Sequence, residues 1–183
     1  MKRLLCCICL GLILSGCSGS PTYEGALSIT NTETGDVVSI GDSMDNVDSI
    51  VGTPQFYPNT NAYLYGDSAL PIGNFAAYYD HGNVCCLIVG PEENSKWEMY
   101  GNIKLGDSSK QLGNAFDMQY KNVETGDRHF AAYMFDGKYK TVDSSTSADY
   151  FLLFSLDDND DILAVMLATA DYLSESIDLS TFD

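Results

Sequence analysis

The stretch Val38-Ser39-Ile40-Gly41-Asp42-Ser43 is written again 65 residues later, as Ile103-Lys104-Leu105-Gly106-Asp107-Ser108. The residues that follow also match: Val47 with Leu112, Ile50 with Ala115, Val51 with Phe116. Apolar residues at these intervals line one face of a helix. In each copy the glycine breaks a short extended lead-in. An oxygen-bearing side chain then caps a helix by accepting from the free N–H groups of its first turn. In the first copy that residue is Asp42 or Ser43, and Gly52 followed by Thr53-Pro54 stops the helix. In the second it is Asp107 or Ser108, and Ser108 with Gln111 has capping-box spacing. The copies therefore predict two related structural units, and every other feature has to fit around them.

The segments after each helix read as strands. Ala62–Tyr65 and Asn74–Tyr79 come first, and the turn signal Asp80-His81-Gly82-Asn83 leads to Val84–Val89. In the second half Arg128–Phe135, Lys138–Val142, Asp149–Leu156 and Ile162–Ala168 follow the same plan. Residues 171–183 add a short helix with Tyr172, Leu173 and Ile177 inward. The expected class is α+β: two tandem units, residues 27–91 and 92–183, each a short helical segment followed by an antiparallel β meander. A unit of about 65 to 75 residues buries only about 60% of its unfolded surface. The two are thus expected to pack as one structure with a shared core.

The N-terminus is an export signal. Met1-Lys2-Arg3 supplies positive charge, Leu4–Leu14 is apolar, and Leu14-Ser15-Gly16-Cys17 is a small-residue cleavage region. An apolar run of this length falls short of the roughly 20 residues that span a bilayer. The Leu-Ser-Gly-Cys ending resembles the lipobox of bacterial lipoproteins. That resemblance implies removal of residues 1–16 and a diacylglycerol thioether on Cys17. Residues 17–26 would be a flexible linker. The implied location is the cell membrane or the outer membrane, lipid-anchored and facing the extracytoplasmic side.

Removing Lys2 and Arg3 leaves seven basic side chains against 26 acidic ones, a formal charge of −19. Phosphate backbones need a basic footprint, so nucleic acid is excluded as a partner. The same charge permits a basic protein partner and favours solubility. Once the leader and Cys17 are set aside, only Cys85 and Cys86 remain. They read as two small core residues, with no disulfide framework, no zinc spacing and no implied cofactor.

An apolar-x-apolar-Gly-Asp-Ser lead-in, a short helix ending at Gly52-Thr53-Pro54 and Tyr-rich strands ending at Val89 and Leu167 resemble the repeats of the β-lactamase-inhibitor-protein-like fold. They also resemble the small lipoprotein of the outer-membrane barrel-assembly machinery. The second unit departs from that pattern, with Asp117-Met118 in place of Gly-x-Pro. The resemblance implies a scaffold for protein binding and carries over no particular binding residue.

Val38–Met44 also resembles the first block of the GDSL hydrolases, with Ser43 as nucleophile. A nucleophilic serine needs a base. This chain has only His81 and His129, neither in the Asp-x-x-His that family supplies, and the Gly-Asp-Ser triplet recurs at 106–108 and at 66–68. The run Asp157–Asp161 lacks the glycine and glutamate of an EF-hand and reads as a solvated hairpin tip, so no metal site is assigned. Twelve tyrosines are many for this length. Tyr63, Tyr65, Tyr78 and Tyr79 are the candidates for an exposed interaction face, since tyrosine offers large contact area at low entropy cost. The expected function is a non-catalytic, lipid-anchored envelope protein that binds another protein through this face. The alternatives are a secreted serine hydrolase using Ser43, or a small solute- or calcium-binding lipoprotein.

Overall fold

The computed structural model describes residues 21–58, 61–65, 75–90, 96–125 and 128–183. The leader, Cys17 and the Gly-Asp-Ser at 66–68 lie outside the described residues. In chain order the elements are β1 (Ser28–Asn31), β2 (Val37–Ser39), α1 (Met44–Val51), β3 (Gln55–Tyr57), β4 (Ala62–Tyr65), β5 (Phe75–Asp80) and β6 (Asn83–Val89). Then come β7 (Trp97–Met99), β8 (Ile103–Lys104), α2 (Lys110–Phe116), β9 (Lys121–Thr125), β10 (Arg128–Phe135), β11 (Tyr150–Leu156), β12 (Ile162–Thr169) and α3 (Ala170–Ser174). Short 3₁₀ turns stand at Tyr100–Asn102, Ser145–Ser147 and Leu179–Phe182.

The strands form two antiparallel sheets. The larger has the order β3-β4-β5-β6-β12-β11-β10-β9, and the smaller β2-β1-β7-β8. The halves of the chain meet in both: β6 pairs with β12, as Ile88 with Met166, and β1 pairs with β7, as Ile29 with Met99. Alternation sends one set of side chains from each strand into the space between the sheets. Ile29, Val38 and Ile103 of the small sheet meet Tyr65, Phe75, Leu87, Phe154 and Leu167 of the large one there. The other face of the large sheet carries a second cluster, including Cys86, Phe151 and Ala168, beneath Leu173 of α3 and Phe182.

The duplicated motif pins one sheet to the other. Gly41 N–H donates to Val84 O (2.8 Å) and Val84 N–H to Asp42 O (2.8 Å). Gly106 N–H donates to Ile162 O (2.7 Å) and Ile162 N–H to Asp107 O (2.9 Å) in the same manner. Each aspartate also turns back on its own strand: Asp42 Oδ2 accepts from Ser39 N–H and Asp107 Oδ2 from Lys104 N–H, both at 2.8 Å. The motif thus fastens β2 to β6 and β8 to β12, close to the middle of the large sheet.

The fold class differs from the α+β expectation. The chain is mostly β, with sheets of eight and four strands and, among the described residues, only three short α-helices, and it is not a pair of helix-plus-meander units. The strands that periodicity does not reveal are β1, β3, β7 and β9, each of three to five residues. β1 and β7 turn the supposed lead-ins into a second sheet, and β3 and β9 extend the large sheet at its two edges. Three local expectations also change. The N-cap of α2 is Ser109, and its side chain makes no capping bond. Lys138–Val142 is a turn rather than a strand; Asp136 Oδ1 accepts from Lys138 N–H and Lys140 N–H, both at 2.9 Å, and only Thr141 bridges back to Phe135. Within the stretch expected to be a flexible linker, Tyr23 and Ala26 are buried.

Candidate functional site

A concavity forms where the β5–β6 hairpin meets α3. The hairpin carries a β-bulge: Tyr78 pairs with Cys86 and Tyr79 with Val84, which leaves Cys85 as the extra residue. A bulge re-aims side chains at a strand end. Here Tyr79 and Val84 face the space between the sheets, and Tyr78 and Cys86 the opposite face. Cys85 is half-buried and its thiol donates to Tyr78 O at 3.4 Å. Burial, with the Asp80 carboxylate adding, pushes the Cys85 thiol up to about 11. Burial raises the fully enclosed Cys86 thiol as well. Both stay protonated at neutral pH, so neither supplies a thiolate nucleophile.

Thr169 starts α3 by accepting from Tyr172 N–H (3.3 Å), which swings Tyr172 over Tyr78. The two rings lie 5.1 Å apart at 50°. Beside this pair, the hairpin end and Tyr150 line a cleft of about 710 Å³. Burial raises both tyrosine hydroxyls above their ordinary value, so they remain neutral hydrogen-bonding groups. The rim is acidic. Asp171 and Glu175 stand four residues apart, hence on one side of the α3 terminus, and Asp80 lies across the cleft. His81 is a basic side chain among these lining groups; its Nδ1 sits 2.8 Å from Asp80 Oδ1, and that hydrogen bond raises its pKa above the ordinary imidazole value. An aromatic wall with carboxylates at its edge suits a cationic group of a ligand, by cation–π attraction and ion pairing.

The four tyrosines singled out in the sequence do not share one face. Tyr63, Tyr65 and Tyr79 lie on the inner side of the large sheet, while Tyr78 lies on the outer side. Neighbours in a strand point to opposite faces, so Tyr78 and Tyr79 had to separate. Tyr65 is 2% exposed and belongs to the core. Its hydroxyl donates to Asp48 Oδ1 and lies the same 2.7 Å from the Tyr79 hydroxyl, which fastens α1 to the sheet. Tyr63 stacks edge-on against Tyr79 at 5.1 Å and tilts against the exposed Phe56 at 4.8 Å. Only Tyr78 and Tyr79 reach the cleft. The partners that complete it, Tyr172, Asp171 and Glu175, come from the C-terminal segment; their signal in the sequence was the spacing of the two carboxylates around an inward tyrosine.

Ser43 is the N-cap of α1, its Oγ accepting from Asn46 N–H at 3.3 Å. The neighbouring Met44 N–H donates to Gly82 O, so the turn carrying His81 is close, yet His81 pairs with Asp80. His129 lies on β10 with Nδ1 3.6 Å from Glu124 Oε1. At the tip Asp157–Asp161, Asp157 Oδ1 accepts from Asn159 N–H (2.8 Å) and Asp161 N–H (2.9 Å). Among the described residues no three His, Cys, Asp or Glu side chains converge to hold a metal ion.

No family model matches the chain, and no curated protein does. Among solved structures it is similar to a DUF4309 family protein, YjgB, from Bacillus subtilis, determined at 2.13 Å resolution. The TM-score is 0.47 and the identity 12%, over 70% of this chain and 78% of that one.

Proposed function

We propose that this chain is a lipid-anchored protein on the extracytoplasmic side of a bacterial envelope that binds a basic segment of a partner protein. The cleft beside the packed rings of Tyr78 and Tyr172, edged by Asp80, Asp171 and Glu175, carries the reading. A Lys or Arg side chain placed there meets the aromatic surface of this pair and three carboxylates. The mature charge of −19 draws such a partner in. The Leu-Ser-Gly-Cys ending at Cys17 supports the anchor. The Ser43 hydroxyl caps α1 and the cysteine thiols are protonated, which supports the non-catalytic part of this reading.

The test is titration of a Lys/Arg-rich peptide into the protein, followed by NMR shifts of the α3 amides. Tyr172→Ala and the pair Asp171→Asn/Glu175→Gln should each weaken binding about tenfold, equivalent to about 1.4 kcal/mol. Asp158→Asn, at the distant acidic tip, should leave it unchanged. If Asp158→Asn weakens binding as much, the peptide is reading overall charge and the cleft is not the site.

A further inference from the structure

A second concavity lies along α2, and it shares no lining residue with the tyrosine cleft. Gln111, Asn114 and Ala115 stand three and four residues apart, so they lie on one side of the helix. Leu112 and Phe116 are its buried residues. Facing that side is the Tyr100–Asn102 turn, and Tyr100, Gly101, Gln111, Asn114 and Ala115 line a groove of about 530 Å³. Small-molecule sites run from about 300 to about 1,000 Å³, so the groove has room for one.

Packing fixes the shape of this groove. The Tyr100 ring lies against Phe116 at 5.3 Å and 31°, and meets Tyr23 edge-on at 5.9 Å and 84°. Gly101, at φ +73°, comes so close to α2 that an added Cβ would stand 2.4 Å from Ala115 Cβ. The first copy of the motif has Ile50 in the place of Ala115, so only the second copy has the small side chain that this approach requires. A site held in shape beforehand costs a ligand less ordering.

The chemistry of the lining differs from that of the chain. The sequence carries 26 acidic and 9 basic side chains, yet none of the five lining residues is charged. Gln111 and Asn114 are exposed, and each amide offers two donor hydrogens and an acceptor oxygen. Among the described residues, neither amide side chain nor the Tyr100 hydroxyl has a hydrogen-bond partner. A charged ligand would find no counter-charge among these groups. A hydroxyl both donates and accepts, so a neutral ligand rich in hydroxyls matches them. Tyr100 is half-buried, and the electron-rich face of a tyrosine ring attracts C–H groups. Hydroxyls around the edge and C–H groups on a flat face are the chemistry of a sugar ring.

We propose that the α2 groove binds a neutral saccharide, with a sugar ring against Tyr100 and its hydroxyls on the Gln111 and Asn114 amides. This site is independent of the tyrosine cleft and of the lipid anchor. The cleft draws cations by charge, whereas the groove reads hydroxyls by hydrogen bonding. Salt screens charge, so the affinity of the groove does not follow ionic strength.

The experiment is an NMR titration of the isotope-labelled full chain with three uncharged trisaccharides, cellotriose, maltotriose and tri-N-acetylglucosamine. Each is added separately to about 20 mM, enough to saturate a site of millimolar affinity. At least one should shift the side-chain amide signals of Gln111 and Asn114. The double variant Gln111→Ala/Asn114→Ala changes two exposed helix positions and should weaken that ligand about tenfold. Asn46→Ala, at the matching place in the first copy, should leave binding unchanged. Raising sodium chloride from about 50 mM to about 500 mM should change the affinity by less than about twofold. If none of the three sugars shifts Gln111 and Asn114, the groove is not a saccharide site. Equal binding by the double variant with a native-like spectrum overturns the assignment as well. Binding that Asn46→Ala weakens as much, or that falls away with salt, is recognition by another surface or by charge and overturns it too.

Discussion

Gly101 is the position at which the backbone leaves least room. It lies in the Tyr100–Asn102 turn at φ +73°, and a Cβ added there would stand 2.4 Å from Ala115 Cβ and 3.3 Å from Ala115 Cα, on α2. Gly106 has a similar φ of +85°, but nothing lies within 4 Å of its added Cβ. The pair separates two costs. Alanine in the left-handed region costs about 1 kcal/mol, so Gly106→Ala should lose about that much. Gly101→Ala adds overpacking of about 2 kcal/mol, for a total of about 3. Ala115→Gly alone should cost about 1 kcal/mol in helix propensity, yet it removes the atom that clashes. The double variant should then lose about 2 kcal/mol rather than the additive 4. Urea unfolding followed by fluorescence reads these values, because Trp97 is the one tryptophan of the chain and is buried against Phe75 at 5.2 Å. If the two glycine variants agree within about 0.5 kcal/mol, or Ala115→Gly fails to rescue Gly101→Ala, the packing of α2 on the turn is not as described.

Tyr65→Phe removes a buried hydroxyl from between Asp48 and Tyr79 and should cost about 1 to 2 kcal/mol in the same unfolding assay. Ser43→Ala removes a working cap and should cost about 1 kcal/mol, whereas Ser108→Ala, at the matching place, should change stability by less than about 0.5. Asp136 and Asp157 accept backbone N–H bonds that hold their carboxyls below the ordinary carboxylate range. Their contribution is present above the unfolded pKa and lost as pH falls through the folded one. Stability should therefore drop below about pH 4, and Asp157→Asn should flatten that drop in thermal melts across the acid range.

Helix α1 was legible because its signals are local: Ser43 before it, apolar residues at helical spacing, Gly52 and Pro54 after it. The same reading went astray at α2, where Asp107 and Ser108 look like caps. Asp107 is committed to Lys104 N–H, as Asp42 is to Ser39 N–H, so the aspartate of the motif locks a turn and the next helix begins one residue later. Strand β3 could not be read, since three residues carry no period and exist as a strand only through pairing with β4. The second sheet was missed for the same reason: its strands are brief, and the β1–β7 pairing that joins its two hairpins spans about 70 residues of chain, from Ile29 to Met99. Tyrosine enrichment was visible, but alternation puts Tyr78 and Tyr79 on opposite sides of the sheet, and which side is covered depends on where α1, α3 and the small sheet pack. The cleft itself required α3 to land beside the β5–β6 hairpin, a tertiary event with no local signature.

The acidity of the chain acts on the cleft over a short range. At physiological ionic strength charges are screened over about 8 Å. The Asp157–Asp161 tip lies a full length of β11 from Tyr150, the cleft residue at the start of that strand, or about 20 Å. Four aspartates at more than two screening lengths add almost nothing to the potential at Tyr172. The groups that set it are Asp80, Asp171 and Glu175, with the Tyr78 and Tyr172 hydroxyls held neutral by burial. Lowering the salt lengthens the range, and the tip then joins the field that steers an approaching cation. Removing charge at the tip should therefore slow association at low salt and leave equilibrium affinity at physiological salt untouched. Removing it at Asp171 and Glu175 should weaken affinity at both. A cleft that selects its ligand by contact, within a field that only gathers candidates, is the arrangement these distances impose.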